Sequence, residues 1–303
     1  MAVGIIAEFN PFHNGHIRLL KYVKKRFPND KIIVLLTGKF SQRGEYNVIS
    51  FAQRKKYALA YGADKVIKLS FEQSVQAAHI FAKNAVDSLY KHKIDKLIFG
   101  SEDNNIKQKK ELALFLKNNE NLFNSVFKKH IKNKGMSYPA AFANTLMELT
   151  GKNYTLPNDI LGFEYIKHIV NNDLPIRVYS IKRNVNFHDN NVKGKYASAT
   201  YLRKLIKDKK SIEKFSPITL KRTYFIEKKY KYFCKIIQNI QKEKLFSIPL
   251  ISEGIENLLI KQSYLNNNYD SFIEACTSKR YTTSRIKRIF AWIVFRAGEL
   301  VEG

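Results

Sequence analysis

The sequence predicts an α/β protein with a parallel sheet in its first two-thirds and a helical region after it. Three observations carry this. Short β-rich apolar runs alternate with segments of helical spacing through the first hundred residues. Strand signals all but stop beyond about residue 210. The chain is 303 residues long, enough for about two domains. Strands alternating with helices favour parallel pairing through right-handed crossovers, and ligands then bind beyond the carboxyl ends of the strands.

Val3–Ala7 is an apolar run that reads as the first, buried strand. His16–Phe27 follows with Ile17, Leu20, Tyr22 and Val23 on one helical stripe. Lys31–Leu36 is the second strand, Phe51–Tyr61 a helix carrying Ala52, Ala58, Leu59 and Ala60, and Lys65–Leu69 the third strand. Ala77–Tyr90 is helical and Lys96–Phe99 is the fourth strand. Helices are expected over Lys107–Lys117, Leu122–Lys132, Tyr138–Leu149 and Ile160–Val170, the last preceded by Pro157 and Asn158 where a polar cap is favoured. Pro175–Ile181 reads as a fifth strand, Arg183–Ala197 as a polar loop, and Ser198–Ile206 as a further helix. The boundary is placed between residues 207 and 208: a catalytic domain over 1–207 and a basic helical domain over 208–303.

Composition narrows the classes. Apolar residues are 45% and charged residues 26%, which excludes a mostly disordered or fibrous chain. No apolar run approaches the roughly 18 residues of a membrane span, so no membrane partner is expected. The opening residues, with Glu8 close behind, do not read as a signal peptide. Two isolated cysteines, Cys234 and Cys276, give neither a disulfide framework nor a zinc site, and a reduced, cytoplasmic setting is the expectation. The formal net charge is +27, a field that attracts polyanions. Lysine outnumbers arginine 41 to 12 and asparagine is abundant, so compositional drift explains much of the lysine excess. It does not explain why Arg280, Arg285, Arg288 and Arg296 fall in the last 24 residues. Both parts of the chain are basic, +16 over residues 1–199 and +11 over 200–303, so charge alone does not single out a polyanion-binding domain.

The most informative stretch follows the first strand: Glu8-Phe9-Asn10-Pro11-Phe12-His13-Asn14-Gly15-His16. A helix starting near His13 puts His13 and His16 on one face. Gly15 between them lets a ligand approach the backbone. The free N–H groups of a helix start favour an anion, and two imidazole donors there would hold a polyphosphate and stabilise charge developing at phosphorus. Two surface histidines beside a turn are the plain alternative. No Ser-His-Asp or Cys-His set stands out.

His13-Asn14-Gly15-His16 after strand one resembles the signature of the nucleotidyltransferase superfamily, and Ser198-Ala199-Thr200-Tyr201-Leu202-Arg203 resembles its second element, in which hydroxyls and a guanidinium meet the β and γ phosphates. Read alone, Ser198 is equally a helix N-cap. The stretch Gly4–His16 is similar in particular to the opening of the bacterial tRNA(Met) cytidine acetate ligases. So are Gly38–Glu45, Gly62–Asp64, Phe99–Glu102, Ser137–Pro139, Leu156–Gly162, Ile181–Arg183 and Lys279–Thr282 with Arg285. Residues 207–275 contribute little to the resemblance, and Lys39 and Asp159 depart from its pattern.

The resemblance implies a Rossmann-like nucleotidyltransferase domain. It implies an enzyme that forms acetyl-adenylate from ATP and acetate, with Mg2+ expected, and acetylates the exocyclic amine of the wobble cytidine of elongator tRNA(Met). It makes His13 and His16 catalytic. Ile6, Ala7, Glu8, Phe9, Asn10, Gly15, His16, Leu19, Gly100, Ser101, Asn158, Arg183, Ser198, Thr200 and Arg203 would bind ATP. A helix cap for Asn158 and a solvated loop arginine for Arg183 are the structural alternatives, and Glu8 and Glu102 fit a histidine partner, a magnesium-bound water or a strand-end salt bridge. Arg280, Tyr281, Arg285 and Arg288 are the tRNA candidates, phosphate contacts beside an aromatic platform, against a solvated charged face. Lys182, Lys193 and Lys195 are further candidates. Arg43 suits either a nucleotide or an RNA phosphate, and His188 is a general base or a structural group. Two rival functions share these features: a cofactor adenylyltransferase, which has no need of a basic helical domain, and a non-catalytic RNA-binding module.

Overall fold

A computed structural model describes the chain except residues 135, 137, 153–159, 184–191, 253 and 298–303. In chain order the elements are β1 (Ala2–Ala7), α1 (Asn14–Arg26), β2 (Lys31–Thr37), α2 (Phe51–Ala60), β3 (Lys65–Leu69), α3 (Phe71–Ser74), α4 (Ala78–Tyr90) and β4 (Lys96–Ser101). Then come α5 (Ile106–Asn118), α6 (Glu120–Lys134), α7 (Tyr138–Thr150), α8 (Ile160–Asn171), β5 (Arg177–Lys182) and α9 (Ala199–Lys207). A 3-10 turn (Ile226–Lys229) leads into α10 (Tyr230–Ile237), α11 (Lys242–Leu245), α12 (Ile255–Leu265), α13 (Tyr269–Cys276) and α14 (Thr283–Phe295). The short α3, capped by the Ser70 hydroxyl, has no counterpart in the periodicity because one turn is too brief to show a stripe.

The chain divides into two compact units. The first comprises Met1–Ser41, Asn47–Asn118 and Leu156–Tyr224. It contains a parallel sheet in the order β3-β2-β1-β4-β5. From β1 the chain builds outward through β2 and β3, then returns to place β4 on the other side of β1. The switch point is therefore between β1 and β4, the place where sheets of this kind bind ligands beyond the strand ends. The strands are apolar on both faces, with Val3, Ile5, Ile32, Val34, Leu36, Leu97 and Ile98 buried, as a sheet covered by helices on each side requires. At the opposite, amino-terminal edge Lys96 is buried and paired with Asp30 and Asp95, so its charge belongs to the fold.

The second unit comprises Gln42–Tyr46, Asn119–Thr155 and Phe225–Gly303. Its aromatic centre is Phe233, stacked on Phe290 at 4.3 Å and edge-on to Phe272 at 5.0 Å, with Tyr269 edge-on to Phe290 at 4.9 Å. The expected boundary at 207/208 falls inside the first unit. Residues beyond α9 stay there because Ser216 Oγ donates to Phe12 O, Asn14 N donates to Phe215 O, and Ile212, Phe215 and Ile218 are buried. Residues 119–155 and 42–46, expected in the first domain, group with the second unit instead.

Candidate active site

The loop from β1 to α1 is built by aromatic packing. Phe9 and Phe12 are buried and meet edge-on at 5.0 Å, and His16 packs against both, at 4.5 and 5.7 Å. Tyr61, the residue that caps α2 at its C-terminus, packs against Phe12 at 5.5 Å. Phe9 has φ of 49°, an uncommon conformation for a bulky residue that surrounding packing must hold. Asn10 is buried; its Oδ1 accepts from Val48 N, and its carbonyl accepts from Arg203 Nη1.

His13 is the N-cap of α1. Its Nδ1 accepts from Gly15 N at 3.0 Å, and His16 Nδ1 in turn accepts from His13 N at 3.2 Å. The two imidazoles stack with centroids 3.8 Å apart. Each Nδ1 lone pair is thus committed to a backbone N–H. A neutral imidazole has one donor and one acceptor nitrogen, so both rings carry their proton on Nε2 and present it outward as a donor. Burial pushes the His13 imidazole down to about 3, with the charges of Arg183 and Arg203 acting the same way. Burial, His13 and Arg183 hold His16 well below its ordinary value too. The pair is neutral at pH 7 and offers two Nε2–H donors that do not titrate there. The glycine between them serves His13 first: a Cβ on Gly15 would stand 2.8 Å from His13 Cε1. The room expected there for a ligand is occupied by the imidazole.

Facing groups come from β4, β5 and α9. Arg183, just after β5, donates from its backbone N to Ser101 O and from Nε to Gly100 O, and its stem lies over Gly100, where a Cβ would be 3.3 Å from Nε. Arg203 reaches Asn10 O at 3.0 Å and Thr200 Oγ1 at 3.1 Å. The Ser198 hydroxyl caps α9, accepting from Tyr201 N at 3.0 Å, so the cap reading of that residue is realised. Arg183 and Arg203 therefore join His13 and His16 at the carboxyl ends of β1, β4 and β5, with Gly15, Gly100, Ser198 and Thr200 in the supporting loops and helix starts. Ile6, Ala7 and Glu8 are half-buried along this edge, and Leu19 is buried in α1. Ser101 departs from expectation. Its hydroxyl is fully buried, donating to Asp103 Oδ1 and accepting from Asn104 N, so in this structure it shapes the turn after β4. Asn158 and His188 lie outside the described residues.

Sequence reasoning missed Arg54. This side chain of α2 is fully buried. Its Nη1 donates to Glu8 O at 2.6 Å and Thr37 O at 3.0 Å, its Nη2 to Gly38 O, and its Nε to Ile49 O at 3.4 Å. One guanidinium thus ties together the chain leaving β1, the chain leaving β2 and the entry to α2. Burial lowers it to about 10, against the opposing pull of Glu8. The only trace in the sequence is that arginine is scarce in a chain that otherwise chooses lysine.

The basic residues near the carboxyl terminus lie in the second unit. Arg280 is exposed and lies over the Tyr281 ring at 5.7 Å. Arg285 lies over the same ring at 5.4 Å, while its Nη2 donates to Ser252 Oγ at 2.8 Å and to Leu250 O at 3.2 Å. The solvated-face alternative does not hold for Arg288, which is 9% exposed.

Residues 1–299 match the family described as HIGH Nucleotidyl Transferase. A tRNA(Met) cytidine acetate ligase of Mesomycoplasma hyopneumoniae (strain J) is 49% identical over 98% of this chain and 93% of its own length. A crystal structure of Thermotoga maritima TmcAL in its apo form superposes with a TM-score of 0.86 at 28% identity, covering 100% of this chain and 79% of that one. The same protein bound with alpha-thio ATP gives 0.85 at 29% identity, over 98% of this chain and 75% of that one.

Proposed function

The chain belongs to the tRNA(Met) cytidine acetate ligases of the HIGH nucleotidyltransferase family, and from that membership and its imidazole pair we propose how it activates acetate on ATP and acetylates the wobble cytidine of elongator tRNA(Met). The single observation that carries the reading is the pair of stacked, neutral Nε2–H imidazoles at the start of α1, faced by two arginines.

In the first step an acetate oxygen attacks the α-phosphorus, the bond to the bridging oxygen breaks, and pyrophosphate leaves with that electron pair. Acetyl-adenylate remains. Little covalent chemistry falls to the protein, so positioning and electrostatics decide the rate. His13 and His16 donate to the phosphates around the reacting phosphorus. Being neutral, they stabilise developing charge without titrating near pH 7. Arg203, braced by Asn10 and Thr200, and the Ser198 end of α9 receive the β and γ phosphates. Gly100, Arg183 and Asn158, with the edge from Ile6 to Leu19, hold the nucleotide. Among the described residues no three His, Cys, Asp or Glu side chains form a metal-binding group. Magnesium, if it enters with ATP, would help neutralise the phosphate charge, and Glu8 and Glu102 would hold a water bound to it.

In the second step the exocyclic amine of cytidine attacks the acetyl carbon, AMP leaves with the C–O electron pair, and the amine's proton passes to solvent water. Arg280, Tyr281, Arg285 and Arg288 contribute to holding the RNA. Among the described residues no helix is long and apolar enough to cross a membrane.

The test is acetate-dependent exchange of labelled pyrophosphate into ATP, with and without elongator methionine tRNA. Exchange that requires acetate, is lost in His16→Ala, and is followed by acetylcytidine detected in the tRNA by mass spectrometry is the expected result. No exchange with acetate, even with tRNA present, overturns the reading.

A further inference from the structure

The second unit contains a cationic arrangement that packing alone does not explain. Arg288 sits on α14 among buried apolar neighbours Ile286, Ile289 and Phe290, itself 9% exposed, and its Nε has no hydrogen-bond partner. Burial lowers its guanidinium to about 10, and Arg285 and Arg43 act in the same direction. A buried donor without an acceptor, beside like charges, is costly to keep unless something it binds offsets the cost.

Arg43 is brought there by a built clasp. Gly44 has φ of 81°, and a Cβ on it would stand 2.5 Å from Lys287 O and 2.8 Å from Arg288 Cα, so the 42–46 loop lies backbone to backbone on α14. Glu45 closes the clasp through an ion pair to Lys287 at 2.7 Å. Nearly one turn before Arg288, Arg285 is fixed by Leu250 O and Ser252 Oγ over the Tyr281 ring.

We propose that Arg43 and Arg288, flanked by Arg285, form an oxyanion pocket that receives one backbone phosphate of the tRNA. The proposal rests on the ligase reading above and deepens it. A phosphodiester carries one negative charge on two free oxygens, the geometry a guanidinium fork binds in bidentate fashion. A bound anion would offset the charge of a guanidinium whose buried Nε has no acceptor, and it would relieve the mutual repulsion of the arginines. Nucleotide and RNA both offer phosphate. The nucleotide candidates all belong to the first unit, whereas this pocket stands beside an aromatic ring suited to an unstacked base. The structure thereby assigns Arg43 to the RNA side.

The experiment uses the full chain, a transcript of elongator methionine tRNA, and two variants. Arg288→Met keeps the stem volume and removes the charge; Arg43→Gln changes a half-buried loop residue and keeps the fold testable if Arg288→Met is unstable. Fluorescence anisotropy over a salt series gives Kd for the tRNA, and steady-state kinetics give separate KM values for tRNA and ATP. Each variant is expected to raise Kd about tenfold and to flatten the log Kd against log salt slope by about 0.7–0.9, one phosphate's share. The double variant should lose less than the sum, because both arginines serve one ligand. Unchanged Kd and slope in both variants overturn the pocket. A rise in the KM for ATP with tRNA binding intact also overturns it and gives the phosphate to the nucleotide. Wild-type exchange activity separates the failures: if wild type exchanges and binds tRNA while the variants match it, the pocket alone fails. If wild type neither exchanges nor binds this tRNA, the ligase reading fails with it.

Discussion

At the scale of single residues, the site works through where protons are fixed. Two backbone N–H groups occupy the Nδ1 positions of His13 and His16, and burial keeps both rings neutral. Histidine NMR on the nucleotide-free enzyme at pH 6 should show His13 as the neutral Nε2–H tautomer, with no titration near 6.5. A ring titrating at its ordinary value would contradict the buried geometry. Removing one such donor costs about 10²–10³ in rate, the size of loss expected for His16→Ala in pyrophosphate exchange. Arg54 acts differently, holding three carbonyls at two strand ends and one at the entry to α2. Arg54→Leu leaves those acceptors buried and should lower stability in urea unfolding, by about 1–3 kcal/mol for each carbonyl left unsatisfied. Arg54→Lys keeps the charge but cannot reach all four, so it should recover only part.

At the scale of elements, the His13–Asn14–Gly15–His16 segment is one device: an N-cap, a glycine and a ring stacked on a ring. Gly15→Ala would press a methyl against His13 Cε1, forcing the imidazole off its cap. Exchange should fall by at least an order of magnitude with little change in unfolding midpoint, since the helix itself tolerates alanine better than glycine; full activity would show that the ring has room to move. The strands and most helices were legible because their periodicity is long and their ends are marked. Local periodicity ends the fourth strand at Phe99, yet it runs to Ser101, because pairing of Gly100 and Ser101 with Ile181 and Lys182 is set by the neighbour and not by local propensity. The fifth strand begins at Arg177, later than the Pro175 expected for it, as its register with Lys96 dictates.

At the scale of the whole molecule, charge and acid response follow from the same groups. Burial alone would raise Asp95, but hydrogen bonds from Lys96, Ala2 N and Arg177 hold it down at about 2. His13 and Asp95 both have folded values below their unfolded ones, so each favours folding above its unfolded value and works against it as pH falls. Stability should be level above about pH 6.5, decline from there toward 3 as the unfolded chain takes up the histidine proton, and decline again between about 4 and 2 with Asp95; unfolding midpoints across pH check this. The chain itself determined the parallel α/β class, the histidine pair and the family, because these rest on local periodicity and on residues adjacent in sequence. It could not determine that residues 42–46 and 119–155 join the carboxyl-terminal helices, that Ser101 turns inward, that Arg54 braces two strand ends, or that Arg43 and Arg288 share one place. Apart from Ser101, whose partners Asp103 and Asn104 are local, each of these depends on residues tens to hundreds of positions apart being brought together, and only burial and packing in the folded chain decide which of them meet.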